Sequence, residues 1–188
     1  MQLTSVIVAD CPWSFGDKLP GTTRGAASNY DVMDIDDICA FPLPPIAPDA
    51  LLFMWRVSSQ PEEALRVVRA WGFVPKTELV WIKTMPDTNK LAFGMGRYVR
   101  ASHETCIIAA RGKATQLIRN RSVRSVFFAP RGAHSEKPQQ FFDIVESMAE
   151  GPYCELFART RRNGWLQYGN QLEGGVADYS CEPVTLQP

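Results

Sequence analysis

The sequence predicts an α/β fold, a doubly wound and mostly parallel sheet with helices on both faces. Two observations carry this: short apolar runs rich in β-branched and aromatic residues recur along the chain, and amphipathic helical stretches alternate with them. A third is size, since 188 residues at 45% hydrophobic content suffice for one domain with a sizeable core. That domain is expected over 1–174, with 175–188 as a loosely packed tail.

The first strand is expected at Val6–Ala9, followed by a Gly-, Pro- and polar-rich loop from Ser14 to Asn29. A second strand is read at Leu51–Trp55. Ser59-Gln60-Pro61-Glu62 then has the spacing of a capping box, Ala64, Leu65, Val68 and Trp71 share one helical face, and Gly72 can close the helix in a left-handed conformation. Strands at Leu79–Ile82, Thr105–Ala109 and Val126–Phe128 follow, with a second aperiodic loop at Pro86–Arg97 between the first two. A helix is expected from Pro138 to Glu150, burying Phe141, Val145 and Met148 and stopping at Gly151, before a last strand at Cys154–Phe157. Continuous apolar runs of this length suit strands buried on both faces.

Composition excludes several classes. No run approaches the 18 or more apolar residues of a membrane span, and Met1–Thr4 lacks the basic start and apolar run of a signal peptide, so a cytoplasmic protein without membrane contact is expected. Five widely spaced cysteines (Cys11, Cys39, Cys106, Cys154, Cys181) are expected as reduced thiols. With two histidines, His103 and His134, and no C-x-x-C or H-x-x-x-H pair, no metal site is expected.

Net charge is zero, yet from Arg97 to Arg131 eight bases face the single acid Glu104, while Asp31–Glu63 is strongly acidic. Within the basic segment Arg97, Arg100, Arg119 and Arg121 are candidate phosphate contacts on a polyanion, against the simpler reading of a solvated charged face. Ligands of open α/β sheets bind beyond the carboxyl ends of the strands, which singles out Asp10-Cys11-Pro12-Trp13 directly after the first strand. An acid, a backbone carbonyl, a rigid proline and a flat aromatic form a polar turn; the alternative is a surface turn with a core tryptophan.

This turn and the motifs after it resemble the adenine-N6 methyltransferases of the MT-A-seventy type, related to the catalytic subunit of the messenger-RNA adenosine methyltransferase. That family carries an Asp-Pro-Pro-Trp turn after a strand like Val6-Ile7-Val8-Ala9-Asp10, here altered at Cys11. Next in order come Tyr30 to Met33, Leu52-Phe53-Met54-Trp55, Trp71-Gly72-Phe73, Glu78 to Thr84, Glu104 to Ile108, Lys137-Pro138, Glu155 to Arg159 and Gly169 to Leu172. The resemblance runs from about Val6 to Leu172.

It implies a Rossmann-like methyltransferase fold that uses S-adenosylmethionine, leaves S-adenosylhomocysteine and needs no metal. Asp10 and the Cys11 carbonyl would hold the hydrogens of the adenine amine, with Pro12 shaping the turn and Trp13 stacking on a base taken out of its helix. Lys137 would meet the methionine carboxylate, and Glu155, Arg159, Asn170 and Gln171 the rest of the cofactor, with Asp10 at its edge. Tyr30 and Glu104 would lie near the target nucleoside; the plainer reading of Glu104 is an ion pair with Arg97 or Arg100. His103 and His134 read as structural or substrate-rim residues. After the Glu-Leu-Phe strand the chain departs from the family's Arg-Pro-His-Asn, so Asn170 and Gln171 are favoured over Arg161 to Asn163. Small members of the family resemble bacterial or phage DNA modifiers, so DNA is expected ahead of RNA, with a homodimer or partner subunit as further options. An inactive nucleic-acid-binding subunit and a small-molecule methyltransferase are the competing classes.

Overall fold

A computed structural model describes residues 3–14, 32–86, 88, 90–94, 96, 98–132, 136–170 and 172. Among them a seven-stranded sheet is built from β1 (Thr4–Ala9), β2 (Ile46–Arg56), β3 (Val74–Thr84), β4 (His103–Arg111), β5 (Val126–Pro130), β6 (Tyr153–Leu156) and β7 (Trp165–Tyr168) in the order β5-β3-β4-β2-β1-β6-β7. The helices are α1 (Ile35–Cys39), α2 (Pro61–Ala70) and α3 (Gln139–Met148), with a 3-10 turn at Ala114–Leu117.

All six residues of β1 are buried, as a central strand requires. Because side chains alternate across a strand, Val6 and Val8 join Phe53, Trp55 and Trp81 beneath Phe141, Phe142 and Val145 of α3. Ile7 and Ala9 face the other way, with Leu52, Met54 and Ile107, under Ile38 of α1 and Ala64, Val67 and Val68 of α2. Helices thus cover both faces, as expected of a doubly wound fold.

Four of the six strand pairings are parallel; β4 is antiparallel to both β2 and β3. It follows β3 with no helix among the described residues between them and folds straight back beside it, the usual antiparallel arrangement for strands joined in this way. Every strand read from sequence is present, mostly with longer ends. Trp165–Tyr168 escaped notice because its two strand-favouring aromatics stand in a segment of only four residues, too short for a periodic signal. The capping box does not form. Gln60, not Ser59, precedes α2, and its amide donates to the Ser14 carbonyl at 2.9 Å. The other end of α2 behaves as expected: Gly72 adopts φ +80°, and the Phe73 and Gly72 amides donate to the Val68 and Arg69 carbonyls. α3 ends at Met148, two residues short of the expected Glu150, and buries Phe142 where Met148 had been expected.

β1 lies at the point where the winding reverses, since the chain leaves it through α1 for β2 and returns through α3 to β6 on its other side. The crevice beyond the carboxyl ends of such strands is where ligands bind. No helix among the described residues is long and apolar enough to cross a membrane.

Candidate active site

Asp10 is the first residue beyond β1, and the turn after it is held by backbone bonds. The Cys11 carbonyl accepts from Trp13 N–H at 2.9 Å, and the Pro12 carbonyl from Met33 N–H at 2.8 Å. The Trp13 indole donates to the Trp55 carbonyl at 3.1 Å, tying the turn to the end of β2. Trp13, only 3% exposed and packed in the core with Cys11, stands in the lining of the crevice, so little of its ring is open for the stacking expected of it.

Two cavities open at this end of the sheet. One, of ≈ 700 Å³, is lined by Asp10, Trp13, Arg56, Lys83, His103 and Glu104 among others. The second, of ≈ 520 Å³, is lined by Val8, Phe142, Glu155, Phe157 and Arg159 to Arg162. Asp10, Trp55, Glu136, Lys137 and Arg159 border both. Sequence reasoning overlooked Arg56, Lys83, Trp55 and Glu136 as lining residues. Lys83 was available to it, since it stands inside the Trp-x-Lys-Thr motif.

A chain of alternating charge joins the two cavities. Lys137 Nζ lies 2.7 Å from Asp10 Oδ2 and 3.3 Å from Glu104 Oε2, and Lys83 Nζ lies 2.5 Å from Glu104 Oε1. Glu104 therefore pairs with these two lysines, where Arg97 or Arg100 had been the alternative. Burial pushes the Glu104 carboxyl up, but the Lys137 and Lys83 ammonium groups outweigh it and hold the carboxyl below its ordinary range. Burial likewise works against the Lys137 cation, yet Asp10 and Glu104 raise it above the ordinary lysine value. The Cys11 thiol is driven well up by burial and by neighbouring Asp10, the opposite of what an activated thiolate needs.

At the smaller cavity the Glu155 carboxyl is raised by burial, partly offset by a 2.7 Å bond from Gln167 Nε2 and by Arg162. Gln167, which sequence reasoning missed, also donates to the Thr160 carbonyl at 2.7 Å and accepts from Arg162 N–H at 2.6 Å. One buried amide thus latches the loop between β6 and β7. Arg162 lies over the Phe142 ring at 3.6 Å and donates to Gln139 Oε1 at 2.8 Å, so this chain's own arginine run borders the cavity after all. Exposed Asn170 does not line it, although Gly169 packs so closely that a Cβ there would strike the Ala158 backbone. Gln171, Tyr30, Arg97 and His134 lie outside the described residues.

The basic segment is not one surface. Because β4 runs against its neighbours, Arg111 and the residues after it lie toward the amino ends of the parallel strands; Arg119 N–H bonds the Met148 carbonyl there. Arg119 pairs with Glu150, and Arg121 donates to the Thr115 carbonyl at 3.2 Å. The expectation that they line the substrate surface is therefore revised, while Arg131 does border the larger cavity.

A doubly wound sheet with two cavities meeting at an acid just beyond its switch-point strand defines a Rossmann-like α/β protein. The MT-A70 family profile matches residues 4–171, and the chain belongs to that family. It is similar to the N(6)-adenosine-methyltransferase MT-A70-like protein of Drosophila melanogaster, 29% identical over 174 residues, which cover 90% of this chain and 27% of that protein. It is also similar to the type II methyltransferase M.MunI of a Mycoplasma species, 30% identical over 186 residues, 89% of this chain and 77% of that one. The N(6)-adenosine-methyltransferase catalytic subunit METTL3 of Homo sapiens is 25% identical over 174 residues, 90% and 28% of the two chains. The chain thus spans about a quarter of the adenosine methyltransferases it matches.

Proposed function

We propose that the chain transfers a methyl group from S-adenosylmethionine to the N6 amine of adenine in nucleic acid, with DNA preferred over RNA. The observation that carries this reading is that the two cavities meet at Asp10, the acid of the family's catalytic turn. A type II methyltransferase among the relatives fits a DNA substrate, as does the likeness to small family members.

The smaller cavity suits the cofactor. It offers an acid (Glu155), bases (Lys137, Arg159, Arg162) and an aromatic and aliphatic wall (Phe142, Phe157, Val8), which match a zwitterionic amino acid, ribose hydroxyls and a purine. The Trp55 indole N–H, on the wall common to both cavities, is buried without an acceptor among the described residues, a further donor for a ligand. When bound, S-adenosylmethionine supplies a methyl already activated by its sulfonium. The chain then has to orient the amine. The Asp10 carboxylate would accept one of its hydrogens and so aim the amine, and would take the proton the nitrogen loses when the methyl leaves its sulfur, where the bonding pair stays. The Cys11 carbonyl, which already accepts from Trp13 N–H, would take the second hydrogen on its other lone pair. Lys137 holds Asp10 at 2.7 Å and fixes its direction. Lys83, Glu104, His103 and Arg131 surround the nucleoside in the larger cavity.

The test is incubation with labelled cofactor and, separately, single-stranded DNA, duplex DNA and RNA, followed by mass spectrometry of the nucleosides. N6-methyladenine in DNA is expected. N4-methylcytosine would overturn the base assignment, N6-methyladenosine in RNA alone would reverse the polymer, and binding without transfer would favour an inactive binding subunit.

A further inference from the structure

Between β3 and β4 the chain projects beyond the sheet as a hairpin, held by Lys83 N–H to the Ser102 carbonyl at 2.9 Å, Ala92 N–H to the Lys83 carbonyl at 2.8 Å and Gly94 N–H to the Ala101 carbonyl at 2.8 Å. Its base is part of the site, since Lys83, Gly94, Ala101, His103 and Glu104 all line the larger cavity. Its outer part is strongly apolar yet uncovered. Of the ten large hydrophobic residues exposed among the described ones, five lie here, with Tyr98 at 94%, Val99 at 74% and Phe93 at 57%. A cluster of this kind at the mouth of a binding cavity marks a contact surface. Its charge is mostly positive: from Met85 to Ser102 the sequence holds Lys90, Arg97 and Arg100 against the single acid Asp87.

We propose that this hairpin is a wedge that stacks on the bases flanking the target nucleotide, with Tyr98 as its principal contact. The inference rests on the nucleic-acid reading above and adds how the strand is held once the target base enters the cavity. Withdrawing one base from a strand bares the faces of its neighbours, and those faces lie where the strand enters the cavity, beside the hairpin. Aromatic side chains cover such faces with little regard to base identity, and Lys90 and Arg100 supply cations for the phosphates between them. A second copy of the chain is the other candidate occupant. A symmetric contact through this patch would set the Lys90 and Arg100 side chains of two hairpins against one another, which disfavours it.

The experiment measures affinity of wild type, Tyr98→Ala and Tyr98→Trp for an oligonucleotide with a single adenine, intact or with an abasic residue at each flanking position in turn. Tyr98→Ala is expected to weaken binding of the intact strand roughly 5- to 150-fold, the range of one base–aromatic stack, and Tyr98→Trp to retain it. An abasic neighbour should weaken wild type similarly but add nothing in Tyr98→Ala, because the stacking partner is already gone. Calorimetric cofactor affinity should be equal in all three proteins. Equal loss from the abasic residue in wild type and Tyr98→Ala overturns the wedge. So does a wild-type dimer by sedimentation that Tyr98→Ala dissolves, which would assign the patch to an interface between copies. Methyl transfer that persists without abasic coupling refutes the wedge alone. Coupling without transfer refutes the proposed reaction and leaves the wedge standing.

Discussion

At residue 11 the family's proline is a cysteine, whose backbone carbonyl accepts from Trp13 N–H while its thiol is buried and pushed well above the ordinary thiol range. Cys11→Ala and Cys11→Pro should both keep most methyl transfer, with stability changes of about 0.4 to 1 kcal/mol at most. Asp10→Ala removes the oriented acceptor and should cost at least about a hundredfold in kcat. Turnover of folded variants checks both; an inactive Cys11→Ala would mean that the thiol takes part. Lys137→Ala removes a charge-assisted contact expected to be worth roughly one to two decades of cofactor affinity by calorimetry.

That same variant leaves Glu104 and Asp10 without their common cation. In the wild type the folded Glu104 carboxyl lies below its ordinary value, so its stabilising contribution is present above that value and lost as pH falls through the lowered one. Lys137 is the mirror case, contributing below the ordinary lysine value and losing its contribution as pH rises through the raised one. These two groups should therefore add no slope to the wild-type unfolding midpoint across neutral pH. In Lys137→Ala only Lys83 still opposes burial, the Glu104 carboxyl climbs, and the acid limb of the pH–rate profile should move to higher pH. An unmoved limb would detach Glu104 from the reaction.

The elements that frame the site owe their order to a few local devices. Gly72 takes φ +80° with open space around it, so Gly72→Ala should cost about 1 to 2 kcal/mol by chemical denaturation, purely from backbone conformation. β7 acts through Gln167, whose amide joins Glu155, Thr160 and Arg162. Gln167→Ala leaves those groups unpaired and should lose about 1 to 3 kcal/mol of stability, together with cofactor affinity. A variant that keeps full cofactor affinity would show that the latched loop does not touch the cofactor.

At the scale of the whole molecule, the described bases between Arg100 and Arg131 sort to the two ends of the sheet. Each phosphate neutralised contributes about 0.7 to 0.9 to the slope of log affinity against log salt. Arg100 on the hairpin and Arg131 at the larger cavity should carry that slope, so replacing both by Ala should flatten it. Replacing Arg119 and Arg121, at the far end of the sheet, should leave it unchanged. A slope that moves with the second pair would place the polymer across the amino ends of the strands.

From the sequence alone came the doubly wound class, six of the seven strands, both longer helices and the Asp10 turn, because burial on both faces writes continuous apolar runs and a helix writes its period. The family pattern also marked Lys137, Glu104, Glu155 and Arg159, which the fold brings to two adjoining cavities. The partners of these residues were not legible. Lys137 and Asp10 stand 127 positions apart, and their 2.7 Å contact exists only because β1 sits beside the segment that opens α3. The burial of Trp13, the latch at Gln167 and the separation of Arg119 from Arg100 result likewise from strand order and from the reversal of β4. Charge and periodicity along a chain report which groups exist, whereas strand direction decides at which end of a sheet they meet.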